Sequence, residues 1–176
     1  MADPRAPGDG YEILFQRLDE QDRRINELEM ATGTQRARTT ARTPIPGGET
    51  ATVTGFALAA GWNTYATVTV PVPTGKTIAK LIAVANGAAL DTTTGGVTSL
   101  SARILIAGVP SQVAPGSKDA GASQVNNIVQ LASSATLSDV TDTVTAEIQI
   151  NPLNATAFPA RPGNFASITV LAIFTA

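Results

Sequence analysis

The sequence predicts a mainly β protein: a short N-terminal parallel coiled-coil helix followed by a jelly-roll-like antiparallel β-sandwich. Three observations carry that prediction. Apolar residues recur every three to four positions over residues 11–30 and then, from Thr50 onward, at every second position. Proline and glycine turns cut the second region into short pieces. Charge is also segregated: residues 1–30 carry eight acids and four bases, residues 31–49 three arginines and one acid, and residues 50–176 only five of each. That last stretch is instead rich in Thr, Ser, Ala, Gly and Val, a neutral, hydroxyl-coated surface suited to packing against copies of itself.

Residues 1–10 read as an extended arm, because Pro4 and Pro7 oppose helix and Gly8 and Gly10 add freedom. Asp9 can cap the helix that follows. In residues 11–32, placing Tyr11 at heptad position a puts Leu14 at d, Leu18 at a, Gln21 at d, Ile25 at a and Leu28 at d. Five of these six seam positions are apolar or aromatic. Arg17 and Arg24 then fall at g, and Asp22 and Glu29 at the e positions five residues later. This g-to-e′ pairing is met between parallel, in-register helices and scrambled in an antiparallel pair. Gln21 makes one polar layer that penalises a slipped register. The hexapeptide Arg24-Ile25-Asn26-Glu27-Leu28-Glu29 resembles the Arg-apolar-x-x-apolar-Glu signature of parallel trimeric coiled coils. The alternative is one amphipathic helix packed on its own domain, which Ile13 and Phe15, outside the seam, keep open. Three heptads are marginal alone, so something C-terminal is expected to help hold the chains together.

Gly33 is expected to end the helix, and residues 33–49 to form a linker closed by Pro44, Pro46, Gly47 and Gly48. Its Arg36, Arg38 and Arg42 lack interleaved aromatics, so no specific nucleic-acid binding is expected. Residues 50–176 read as the β-sandwich head, with strands at 51–59, 65–72, 77–84, 99–109, 127–132, 143–151 and 165–175. Residues 85–90 fit either a bent continuation of the third strand or a short helix. In residues 165–176, apolar side chains fall on both faces of the strand, which places it centrally in the sandwich or between subunits.

The chemistry available is narrow. There is no cysteine and no histidine, which removes disulfides, thiolate metal sites, the usual general base and the commonest metal ligand. Asp139 and Asp142 lie close in LSDVTDT but lack the alternating oxygen ligands and glycine of a calcium loop, and read as turn formers. No Gly-x-Ser-x-Gly elbow or phosphate-cradling loop is present. The chain is therefore expected to be no enzyme and to need no cofactor or metal. Trp62 and Tyr65 are the ligand-binding candidates, as a sugar-stacking platform or protein anchor, against a plug at one end of the core. Residues 91–98 and 110–124 are long, small-residued candidate contact loops. No apolar run reaches the length of a membrane span, and MADPRAPGDG has acids and prolines where a secretory signal needs a basic start and apolar core, so no signal peptide is expected.

A heptad segment, RLDEQDRRINELE, followed by an Arg/Thr linker and an Ala/Thr/Val-rich β domain, resembles small structural proteins of tailed bacteriophages, in style the minor tail, fibre or head-decoration proteins. The resemblance implies a virion component made in the host cytoplasm. It also implies a homotrimeric tail, baseplate or fibre protein that attaches to other virion proteins through its N-terminal arm and linker and displays the β head. The chain is much shorter than a typical receptor-binding fibre, which leaves open a capsid decoration protein or head fibre docked on the shell. A carbohydrate-binding module recognising a host surface glycan, or a host protein, is the reading from a different class.

Overall fold

The computed structural model describes residues 9–92, 99–118 and 125–176, with side chains described except at 9–15, 37–42, 117–118 and 125–126. Residues 1–8 of the predicted arm, and 93–98 and 119–124 of the predicted contact loops, lie outside the described residues. The chain divides into two compact units, Met1–Thr43 and Pro44–Ala176.

The first unit is one helix, α1 (Asp9–Arg42), of 34 residues. It runs through Gly33, where the sequence suggested an end. A single internal glycine costs only about 1 kcal/mol relative to alanine, and the Met, Gln and Arg around it continue the helix. Thr34 bonds locally, its Oγ1 donating to the Met30 carbonyl at 2.9 Å, which satisfies the hydroxyl without leaving the helix. Termination falls instead at Pro44, whose ring excludes the residue before it from the α region.

The second unit contains β1 (Ile45–Thr54), β2 (Asn63–Pro71), β3 (Ile78–Asp91), β4 (Leu100–Ile106), β5 (Val109–Pro110), β6 (Ala114–Pro115), β7 (Ser117–Lys118), β8 (Val125–Leu137), β9 (Thr143–Pro152) and β10 (Phe165–Thr175), with one 3-10 turn at Ala155–Ala157. One sheet has the order β1-β10-β3-β8-β7 and the other β2-β9-β4-β5, with β6 also on β4. All pairings are antiparallel. The pairs β1–β10, β2–β9, β3–β8 and β4–β5 nest inside one another like the rungs of one long hairpin. Rolling that hairpin sends alternate rungs to opposite sheets and brings β10 beside β3 and β9 beside β4. That is the jelly roll.

β10 coincides with the sequence reading, and β2, β3, β4 and β9 start within two residues of it. The first strand lies at Ile45–Thr54 where the sequence predicts 51–59, ended by Gly55 in left-handed backbone at φ 77°, and β8 runs Val125–Leu137 where the sequence predicts 127–132. The predicted linker at 33–49 is largely regular structure: helix occupies it to Arg42 and β1 takes it from Ile45, leaving only Thr43 and Pro44 between. Because β1 is an edge strand that pairs, among the described residues, with β10 alone, Pro46 is tolerated there without an N–H to donate. Residues 85–90 continue β3 as strand. A Cβ at Gly87 would lie 3.1 Å from Val129 Cγ2 and 3.2 Å from Ile150 Cδ1, so the core closes over the bare backbone there.

The core between the sheets is aliphatic. Inward positions of β3 are mostly small, Ala79, Ala83, Ala85 and Ala89, while Ile104, Ile148, Ile150, Ile168 and Phe174 supply bulk. Asn164, fully buried, ties three segments together. Its Nδ2 donates to the carbonyls of Phe56 (2.7 Å) and Pro159 (3.0 Å), and its Oδ1 accepts from the Leu90 N–H (2.9 Å). Asp139 and Asp142 sit in left-handed backbone, φ 55° and 57°, in the turn between β8 and β9. The Asp142 carbonyl accepts from Val72 N–H and Val140 N–H donates to the Thr77 carbonyl, so these residues shape a turn locked to β2 and β3.

Candidate assembly surfaces

On α1, residues seven apart share a face, and Leu18, Gln21, Ile25 and Leu28 form one stripe. The apolar members are between 47% and 67% exposed. An aliphatic stripe this open has its hydrophobic contribution still to gain, at roughly 1.5–3 kcal/mol for each side chain fully buried. Tyr11 and Leu14 belong to α1, but their side chains lie outside the described residues. Arg17, Gln21, Asp22, Arg24 and Glu29 are exposed. In the single chain Arg24 Nε lies 3.1 Å from Glu20 Oε1, and Arg23 is paired with the same carboxylate at 2.9 Å and with Glu27 at 3.9 Å. The Arg24 guanidinium that the heptad assigns to a partner's Glu29 thus has a local acceptor one turn back. Exposed pairs of this kind are worth a few tenths of a kcal/mol, little enough for Arg24 to exchange one carboxylate for another.

Both sheets carry bonded polar side chains on their outer faces, Thr50–Thr169 and Thr52–Ser167 among them on the β1-β10 side, and that β1-β10 face adds an aliphatic patch. On the β2-β9-β4 sheet, the outward side chains include Thr67, Thr69, Thr145, Glu147, Gln149 and Arg103. They bond to one another: Arg103 Nε donates to Gln149 Oε1 (2.9 Å), Gln149 Nε2 to Thr64 Oγ1 (3.1 Å), and Thr64 Oγ1 to Glu147 Oε2 (2.7 Å). On the β1-β10-β3-β8 sheet, Leu171 stands beside Ile82, Thr169 beside Val84, and Ile173 beside Lys80. Leu171, Ile173, Ile82 and Val84 are each 45–62% exposed, and they form one apolar patch across two strands. Gly48 pairs with Leu171 on the other side, so Leu171 rises between a groove toward β8 and a groove over β1. The sequence marked part of this patch, since β10 is apolar on both faces. The contribution of Ile82 and Val84 follows only from the register that sets them against β10.

Trp62 and Tyr65 have separate surroundings. The Arg103 guanidinium lies over the Trp62 ring, 4.4 Å from its centroid, a cation–π contact that joins the indole to the polar network of β4 and β9. Tyr65 occupies a β-bulge, at the register shift between Thr64 and Ala66. Its ring packs on Phe56 at 4.6 Å between centroids, and its hydroxyl accepts the Ala59 N–H at 2.8 Å. Burial raises the Tyr65 phenol above its ordinary value of 10.0, with the Ala59 bond opposing. Both aromatics are thereby engaged within the chain, Tyr65 in shaping the 55–62 loop and Trp62 in stacking.

Among the described residues no group of three or more His, Cys, Asp or Glu side chains could hold a metal ion, and no helix is long and apolar enough to cross a membrane. No protein-family model matches the chain, and no curated protein matches it. Among solved structures it is similar to part of dimeric latent PorU from Porphyromonas gingivalis, with 14% identity and a TM-score of 0.47 over 74% of this chain and 13% of that one. A second likeness is to the infectious bursal disease virus VP2 subviral particle, with 12% identity and a TM-score of 0.28 over 73% of this chain and 32% of that one. The chain therefore spans a small part of PorU and about a third of VP2. The fold itself stands on the strand pairings described above.

Proposed function

We propose that this chain is a non-enzymatic structural protein of a virion, a parallel homotrimer serving as a tail, baseplate or fibre component. It attaches by its N-terminal part and displays the β-sandwich head. The observation that carries the reading is the exposed stripe of Leu18, Ile25 and Leu28 on a helix whose g and e charges suit a parallel partner. Surface stripes of this kind on isolated helices are unstable investments unless a partner covers them. The absence of histidine and cysteine from the sequence supports a role in shape over catalysis. The resemblance to small phage structural proteins supports the virion setting.

The test is the mass of the full-length chain in solution by sedimentation or multi-angle light scattering. The wild-type chain should weigh three copies, and Leu18→Asp or Ile25→Asp should lower that mass while leaving the sandwich's circular dichroism unchanged. A monomeric wild type, or a trimer indifferent to both substitutions, contradicts the seam. Immunolabelling of intact particles places the protein on the tail, on the shell or on neither.

A further inference from the structure

We infer that the outer face of the β1-β10-β3-β8 sheet is a second self-association surface, in which the Leu171–Ile173 ridge of one copy sits in the groove beside the same ridge of the next copy. This rests on the homotrimer reading for its symmetry.

Four features point to another copy as the occupant. The first is a difference between the two outer faces: one is a bonded polar network, while the other sets the aliphatic patch of Leu171, Ile173, Ile82 and Val84 beside the hydroxyl pairs Thr50–Thr169 and Thr52–Ser167. Both are built by the same strand alternation, so the difference lies in the residue choices. The second is charge. Among the described residues of these four strands Lys80 is the charged residue at an outward position, and Glu49, exposed on the edge strand β1, lines the groove beside Leu171, so the face brings few ions into the contact and they are of opposite sign. The third is shape. On one side of Leu171 lies a groove of about 540 Å³, lined by Ile82, Ser134, Thr136 and Ile173 among others. On its other side a groove of about 500 Å³ runs over Pro46, Gly48, Glu49 and Thr50. Gly48 keeps the second groove open, since a Cβ there would stand 3.3 Å from Leu171 Cδ2 and 2.9 Å from the Val170 carbonyl oxygen. A ridge flanked by grooves is complementary to a shifted copy of itself. Such a shifted, heterologous contact is the kind a closed ring of three requires.

The fourth is size and tethering. Four strands about 4.8 Å apart and about ten residues long make a face of roughly 600 Å², somewhat below the roughly 800 Å² per partner of a standard stable interface. Such a face associates weakly alone and well when something else holds the copies close. Here only Thr43 and Pro44 separate the helix from β1, a reach of about 10 Å. Helices joined in parallel would hold three such faces at high effective concentration. A marginal coil and a marginal face then support each other.

The sequence contains no cysteine, so a single engineered thiol reports one position cleanly. Leu171→Cys probes the ridge, and Thr67→Cys, exposed on the opposite sheet, is the control; both are read by reaction with Ellman's reagent in the full chain. In the assembled protein Leu171→Cys should react roughly tenfold or more slowly than Thr67→Cys, the ratio for a site covered in about nine copies of ten. Adding Leu18→Asp should restore its rate if the mass falls to a monomer. If the double variant stays assembled and protected, the face is confirmed and the seam is not what holds the trimer. A freely reacting Leu171→Cys in an intact trimer overturns the face and leaves the seam standing. Protection persisting in a monomer also overturns it, because the cover would then come from the same chain. A wild-type chain that is monomeric, together with a freely reacting Leu171→Cys, removes both readings. Ile82→Cys, on the neighbouring strand, repeats the measurement should Leu171→Cys fail to fold.

Discussion

Substituting Gly47 by alanine separates the linker expected from the sequence from the strand in the structure, because the two predict opposite signs. In a flexible linker, Gly47→Ala removes conformational freedom from the unfolded chain and stabilises by about 0.4–1 kcal/mol. In β1 the added Cβ would lie 3.0 Å from Phe174 Cε2 and 3.4 Å from Val70 Cγ1. Phe174 is fully buried and cannot swing away into solvent. Crowding a packed ring in this way costs about 1–3 kcal/mol. Set against the unfolded-state gain, the net loss is about 1–2 kcal/mol. For a domain of this size that is a fall in Tm of roughly 3–8 °C. Phe174→Leu withdraws the ring edge and by itself leaves a cavity costing about 1–2 kcal/mol. Since the two residues touch, the double variant should be more stable than the sum of the single effects predicts, by about 0.5–1 kcal/mol or more. The assay is thermal and denaturant unfolding of the full chain, all variants at one protein concentration because assembly shifts apparent stability. If Gly47→Ala melts at or above the wild-type temperature, or the two substitutions simply add, residues 45–49 are not the strand that covers Phe174.

Two further outcomes follow from the packing. Asn164→Ala leaves the Leu90 N–H and the Phe56 and Pro159 carbonyls without their buried partner; denaturant melts should show a loss of about 2–4 kcal/mol, and a change under about 0.5 kcal/mol would mean the network holds nothing. Near-ultraviolet titration of a Tyr11→Phe variant, which leaves Tyr65 as the single phenol, should give a midpoint above 10.0, since burial disfavours the phenolate. The unfolded phenol loses its proton first, so this contribution to stability is complete below pH 10 and is lost as pH rises through the folded midpoint. A midpoint at or below 10.0 would place Tyr65 in solvent.

Strand positions were legible in the sequence wherever one face is buried and the other wet, because alternation then writes the burial pattern directly into residue choice. β2 and β9 are of this kind. The helix was legible for the same reason at a different period. What misled were residues whose reason for being there is another segment of the chain. Pro44-Ile45-Pro46-Gly47-Gly48 looks like linker composition, yet Gly47 is glycine because Phe174 lies over it and Gly48 because the Val170 backbone does. Asn164, between Gly163 and Phe165, looks like an ordinary turn residue, and its three long-range bonds leave no trace in its neighbours. Gly33 read as a stop because the signal for continuing is merely the absence of a proline until Pro44.

By itself the sequence determined the two periodicities, the exclusion of cysteine and histidine chemistry, and the apolar stripe on the helix. These are local properties, set by side-chain shape and by spacing along one segment. Only the tertiary structure decided which strands pair, and so that the strands nest into a jelly roll with Ile82 and Val84 beside Leu171 on one outer face. Register brings together residues about ninety positions apart, and no local preference encodes a neighbour at that distance.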